Sequence, residues 1–247
     1  MPDSFRALCT DFYVNQKLQV KMELPRTRET ILDFYERVRK SHPHMMGFRK
    51  IRDELALESN PQDMPHRWLA VKGTTVRSGC VNADSLTDAY ALHQLVIEAA
   101  PTYLTVSPLD FDHLEVLYGF DMIAQGNHDA IVFDALLAGS PLAGMMDIPH
   151  ASISDFQPTL GVSLGRSKEF EVYVEVKTRP AGMRTRDPEL GEPISVYLTM
   201  RKLGPIADMK ELGTAFTRLT KMGEDLIEHR IVPNLLVPIH EAIGSGR

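Results

Sequence analysis

Two runs in which apolar and polar residues alternate constrain the fold of this chain more than any other feature. The apolar positions are Leu18, Val20, Met22 and Leu24 in the first run, and Leu114, Val116, Tyr118 and Phe120 in the second. The second run repeats the first at an offset of 96 residues. Alternation with a period of two is typical of strands with one buried face. A unit that recurs in this way predicts two half-domains that share a sheet or pack against each other.

The same order of elements follows each run. Thr27 and Asn127 stand where N-caps are expected, each before a helical pattern. Three strand-like segments and a longer helix then complete each half. We therefore predict an α+β fold of two β-α-β-β-β-α repeats, residues 1–105 and 106–247, related by pseudo-twofold symmetry within one compact unit. Alternating strands favour an antiparallel sheet covered on one face by helices.

Several boundaries follow from local signals. Residues 6–14 and 16–24 are predicted as two strands, and residues 41–48 as a loop because they contain Pro and Gly. The segment from Thr178 to Pro193 is rich in Pro, Gly and charge, which indicates a mobile hairpin loop. Pro233 is expected to break the last helix.

This order of elements resembles the saddle-shaped fold of the TATA-binding protein and, less closely, the helix-grip fold of START-type lipid-binding domains. The length and layout are also similar to an uncharacterised, sporadically distributed bacterial family of proteins of about this size. These resemblances imply the arrangement of the fold and carry no activity, because function resides in sites rather than in folds.

Composition narrows the classes of protein to which the chain can belong. No stretch approaches the ~18 consecutive apolar residues that a membrane span needs. Cys9 and Cys80 are too few for a disulfide scaffold and are predicted as small core residues in the reducing cytoplasm. No nucleophile or phosphate-loop motif is present, so no cofactor is predicted and a non-enzymatic role is favoured.

The distribution of charge argues against nucleic acid as a partner. Residues 1–105 hold 14 Lys or Arg against 13 Asp or Glu, and the remainder holds 13 against 20. Only the stretch from Arg37 to Arg52 is markedly basic, and cations at a helix C-terminus are also what the helix dipole prefers. Three functions are considered for this chain: binding of a ligand or partner protein, metal-dependent hydrolysis, and nucleic-acid binding through residues 37–52. Nucleic-acid binding is the weakest of the three.

The segment Gly126-Asn127-His128-Asp129 resembles the Gly-Asn-His-acid signature of calcineurin-like metallophosphoesterases. That resemblance implies a metal-dependent hydrolase using His128 and Asp129 with other histidines. The family also needs an upstream Asp-x-His and a Gly-Asp-x-x-Asp, which the preceding sequence lacks. An N-cap at Asn127 with Asp129 in the first helical turn accounts for the same residues without metal.

Histidines elsewhere have simpler explanations than catalysis. His42-Pro-His44 has a metal-compatible spacing but lies in a proline-containing loop, where a solvated segment is the simpler explanation. His93 lies on the apolar face of its helix, which is typical of a hydrogen-bonded core histidine.

Paired methionines provide the main indication of a binding site. Met45-Met46 and Met145-Met146 fall in irregular segments, one pair in each half, beside His44 and His150. Flexible thioethers line adaptable apolar clefts, although they also fill gaps in cores. We therefore predict a non-enzymatic cytoplasmic protein that binds a partner protein or a small apolar ligand in a cleft between the repeats. Exposed sheet edges and the long last helix favour a homodimer.

Overall fold

Nine strands form one antiparallel sheet in the computed structural model, which describes residues 5–165, 168–179 and 192–245. The strands are β1 (Asp11–Val20), β2 (Gly47–Ile51), β3 (Glu54–Glu58), β4 (His66–Lys72), β5 (Thr75–Val81), β6 (Phe111–Ala124), β7 (Thr159–Leu164), β8 (Phe170–Lys177) and β9 (Glu192–Leu203). Their order in the sheet is β2-β3-β4-β5-β1-β6-β9-β8-β7. The prediction of an α+β fold with an antiparallel sheet is confirmed.

Helices alternate with groups of strands along the chain. The α-helices are α1 (Arg28–Ser41), α2 (Leu86–Tyr103), α3 (His128–Leu137), α4 (Glu211–Leu226) and α5 (Val237–Gly244). A 3-10 helix spans Pro141–Met146, and a π-helix spans Ile227–Leu236 and joins α4 directly to α5. Each helix within the described residues is too short or too polar to cross a lipid bilayer.

Side-chain caps set the starts of three helices. The side chains of Thr27, Ser85 and Asn127 each accept a hydrogen bond from the backbone N–H three residues further on. Each cap satisfies one of the N–H groups that a helix leaves without an intrahelical partner. The predicted N-caps at Thr27 and Asn127 are confirmed.

The prediction of two strands at residues 6–14 and 16–24 is wrong, because a single strand, β1, runs from Asp11 to Val20. The chain then leaves the ladder, since the side chain of the buried Asp110 accepts from the backbone N–H groups of Lys21 and Met22. Met22 is 64% exposed, so the alternation of apolar residues in the sequence continues beyond the end of the strand.

Two further boundaries differ from those predicted. Strand β2 begins at Gly47, inside the predicted loop, so four strands rather than three separate α1 from α2. All five residues of β2 are exposed, so the strand has no alternation of buried and exposed positions from which it could be predicted.

Pro233 does not break the last helix, because the chain continues through it as a π-helix. Most of the predicted loop from Thr178 to Pro193, residues 180–191, lies outside the described residues.

The core lies between one face of the sheet and the helices α2 and α4. The even-numbered residues of β1 are buried, and β1 and β6 pair along their length at the centre of the sheet, with Leu18 opposite Leu114. Helix α2 contacts β1 and β5, and α4 contacts β6 and β9. Odd-numbered residues of β1 and β6 project from the other face, where Glu115 pairs with Lys17 and Arg201.

Candidate ligand-binding groove

An apolar groove lies at the β7 edge of the sheet. Its volume is about 280 Å³. Six aliphatic side chains line it: Leu136, Leu160, Val174, Val176, Ile231 and Leu235. Pro158, Thr159, Arg230 and Asn234 complete the lining. The groove is therefore formed by the end of α3, by strands β7 and β8, and by the π-helix.

The β7–β8 hairpin forms the floor of this groove. Leu160 lies directly opposite Val174 in the ladder, so their side chains lie on the same face of the sheet. This is also the face that carries the buried Val172 and Val176. Leu160 is nevertheless 61% exposed, which shows that the apolar face of the sheet extends beyond the elements that cover it.

The π-helix forms the wall. Regular π-helical turns are rare and frequently occur at functional sites. Here the ten-residue segment presents Arg230, Ile231, Asn234 and Leu235 to the groove. The Asn234 side chain donates to the Arg230 carbonyl oxygen at 2.8 Å, which holds the amide against its own helix.

Arg230 brings a cation to the rim. Its side chain is exposed, and one guanidinium nitrogen donates to the His229 carbonyl oxygen at 3.1 Å. It forms no ion pair with any carboxylate among the described residues. An anionic group in the groove would therefore meet an uncompensated positive charge.

A second cavity, of about 370 Å³, lies between the two halves of the chain. It is bounded by Ile97 and Pro101 of α2, by Met209 just before α4, and by Leu212 and Gly213 in the first turn of α4. Glu98 and Lys210 also line it. This cavity has fewer aliphatic side chains than the groove and carries charges of both signs, so it is the less favourable environment for an apolar molecule.

The predicted methionine site falls elsewhere. Met45 is fully buried in the core, whereas Met46 is 72% exposed next to β2, the edge strand at the opposite end of the sheet order from β7. Met145 and Met146 belong to the 3-10 helix, with Met145 67% exposed.

The two histidines of that site are both exposed: His44 and His150. Neither these histidines nor the four methionines line the groove or the cavity between the halves. Ligand binding at those six residues stays a prediction.

His128 and Asp129 are both buried at the start of α3. The Asp129 carboxylate accepts from the backbone N–H of Phe156 at 2.8 Å and from the Thr178 hydroxyl at 2.6 Å. These bonds tie α3 to the chain before β7 and to the end of β8. One ring nitrogen of His128 lies 3.1 Å from the Ala124 carbonyl oxygen. No three metal-binding side chains group together within the described residues.

His93 is a hydrogen-bonded core histidine, as predicted. Its two ring nitrogens lie 2.8 Å from the Ser78 hydroxyl and 3.1 Å from the Val14 carbonyl oxygen. The Ser78 hydroxyl is also 3.0 Å from the buried side chain of Gln16. Burial lowers the pKa of His93 to about 3, so the ring is neutral at pH 7.

The thiols and the basic segment have structural explanations. Burial raises the pKa values of Cys9 and Cys80 to about 11, so both thiols remain protonated at neutral pH. Cys9 lies before β1 rather than in a strand.

Within the basic segment, residues 37–52, Arg39 pairs with Glu36 and Arg49 pairs with Glu58. Part of this basic charge is therefore neutralised within the protein.

The groove was missed from the sequence because its residues come from four separate elements. Leu160, Val162 and Leu164 alternate with other residues as in a strand, but this pattern does not show that the strand is an uncovered edge. The π-helix has no recognised sequence signature, and Pro233 pointed to a break in the helix instead.

No model of a known protein family matches this chain, and no curated protein matches it.

Proposed function

We propose that this protein binds a small amphipathic molecule, with an apolar body and an anionic end, in the groove between the β7 edge and the π-helix. The observation that carries this proposal is an aliphatic groove with an arginine, Arg230, at its rim that forms no ion pair within the part of the chain that the structure describes. Its volume of about 280 Å³ lies just below the range typical of small-molecule sites, roughly 300–1,000 Å³, and suits a small ligand. A short acyl or alkyl carboxylate fits both features.

The role is binding rather than catalysis. Among the described residues that line the groove, Thr159 carries the only hydroxyl, and no carboxylate, histidine or thiol is present to activate it. Two unpaired thiols support a reducing, cytoplasmic location. The proposed site lies within residues 106–247 and replaces the predicted cleft between the halves as the first place to look for a ligand.

We also interpret the chain as a tandem duplication. Strands β1 and β6 are neighbours at the centre of the sheet, and each is followed by a side-chain-capped helix. The caps Thr27 and Asn127 are 100 residues apart, close to the offset of 96 between the alternating runs. Superposition of residues 11–103 on residues 111–226 tests this interpretation, and halves that do not superpose would contradict it.

A displacement titration with a fluorescent apolar dye tests the binding site. Straight-chain carboxylates should displace the dye, and affinity should increase about fourfold for each added methylene until the groove is full, since a buried CH₂ contributes about 0.8 kcal/mol. Alcohols of the same length should bind more weakly. Absence of saturable displacement would contradict the proposal.

Two variants locate the site. Leu160→Asp should weaken carboxylate binding at least about tenfold, because it places a charge among aliphatic side chains and repels the anion. Leu109→Asp is the matched control, because Leu109 is 88% exposed and does not line the groove. Arg230→Gln should remove the preference for carboxylate over alcohol. Equal affinities for Leu160→Asp and Leu109→Asp would place the site elsewhere.

A further inference from the structure

The two edges of the sheet differ in how they are protected against pairing. An edge strand exposes unpaired backbone groups, and natural proteins usually block such edges with charged residues. Strand β2 carries Arg49 and Lys50 among its five residues. Strand β7 has the sequence Thr-Leu-Gly-Val-Ser-Leu and carries no charge at all.

The free backbone groups of β7 can be identified from the ladder. Within the described ranges β7 pairs with β8 alone. The Pro158 carbonyl accepts from the Val176 N–H at 3.0 Å, and the β7–β8 register continues without a shift. Bonding alternates along an antiparallel pair, so even-numbered residues of β7 bond to β8. Thr159, Gly161 and Ser163 therefore point their N–H and C=O groups away from the sheet.

The side chains of this edge are suited to burial. Leu160 and Val162 are 61% and 43% exposed on the face that carries the groove. On the other face the Tyr173 ring lies across Gly161, where an added Cβ would be 2.9 Å from the ring. The edge therefore has a row of apolar side chains on one face of the sheet and a flat surface, formed by Gly161 and the Tyr173 ring, on the other face.

We propose that β7 pairs in antiparallel fashion with β7 of a second copy of this chain, about a twofold axis at Val162, so that one sheet continues through both copies. In this register Val162 faces its counterpart, Leu160 faces Leu164, and Gly161 exchanges backbone hydrogen bonds with Ser163. All cross-strand pairs on the groove face are then aliphatic.

Charge favours β7 over β2 as the edge through which two copies pair. A β7–β7 pair brings no charged residues together, whereas two copies of β2 paired in the same way about Arg49 would place the two Arg49 side chains opposite each other. A strand pair of this length buries less than the ~800 Å² per partner of a standard interface. The dimer should therefore be weak and dissociate on dilution.

Sedimentation velocity over a concentration series of the full chain tests the dimer. The natural protein should pass from monomer to dimer, and Val162→Lys should raise the dissociation constant more than about tenfold because two ammonium groups would meet at the axis. Ile51→Lys is the control, because Ile51 is an exposed aliphatic residue on the other edge. A natural protein that stays monomeric, or a Val162→Lys variant that dimerises normally, would overturn the proposal.

Cross-linking tests the register independently. In a Cys9→Ser background, Val162→Cys should form a disulfide-linked dimer on mild oxidation, since facing residues at such an axis have Cα atoms about 4.5 Å apart. Leu160→Cys should cross-link poorly, and preferential cross-linking of that variant would overturn the axis at Val162. Val162 does not line the groove, so dye displacement and dimerisation can fail separately.

Discussion

Replacement of Gly223 by alanine is expected to lower the free energy of unfolding by about 2 kcal/mol, although alanine is the better helix former. A Cβ at Gly223 would lie 2.5 Å from a ring carbon of Tyr118 and 2.9 Å from its hydroxyl. Tyr118 is fully buried. Its hydroxyl lies 2.8 Å from that of Tyr90 and 3.4 Å from the Thr220 carbonyl oxygen, so the ring cannot move without losing these contacts.

The same substitution at Gly213 is the control. Both glycines lie in α4, but an added Cβ at Gly213 meets no atom within 4 Å. Gly213→Ala should therefore stabilise the protein by up to about 1 kcal/mol, which is the intrinsic helix preference. Urea unfolding of the two variants measures the difference. Stabilisation by both would show that the Tyr118 ring yields to the methyl group.

Acidification from pH 7 to pH 4 is expected to cost about 3 kcal/mol of stability through His93 alone. The folded-state pKa of His93 is depressed to about 3, from an ordinary value of 6.5. The unfolded chain therefore takes up a proton as the pH falls below 6.5, while the folded chain does not. The contribution is small above pH 7 and grows as the pH falls towards 3.

Substitution of the histidine isolates this effect. His93→Gln retains a hydrogen-bonding side chain beside Ser78 but removes the titrating group, so the difference between variant and natural protein in unfolding free energy should shrink as the pH falls from 7 to 4. Burial also lowers the pKa of His42 and raises that of Asp121, and both effects remain in the variant. Parallel pH profiles for His93→Gln and the natural protein would contradict the assignment.

Local sequence signals identified the elements whose burial follows a regular period. Thr27 and Asn127 marked helix starts because a capping side chain acts on an amide three residues away, and this interaction needs no tertiary partner. His93 was identified as a core residue because its helix has an apolar face. Strand β2 was missed because it is exposed throughout.

Long-range contacts decided the rest. The alternation at Met22 and Leu24 is indistinguishable from that of β1, yet the strand ends where the backbone N–H groups of Lys21 and Met22 donate to the Asp110 carboxylate. Gly223 lowers the intrinsic helix preference of α4, yet it provides the space that the Tyr118 ring occupies. Neither contact can be predicted from the residues next to it in the sequence.

The sequence by itself determined that this chain forms an antiparallel sheet with helices on one face, because periodic burial is encoded by near neighbours. Only the tertiary structure decided which strand lies at the uncharged edge and which side chains line a groove beside it. Leu136, Leu160, Val174 and Ile231 come together there from four elements, because the strand order places β7 and β8 at the sheet's edge and the π-helix beside them.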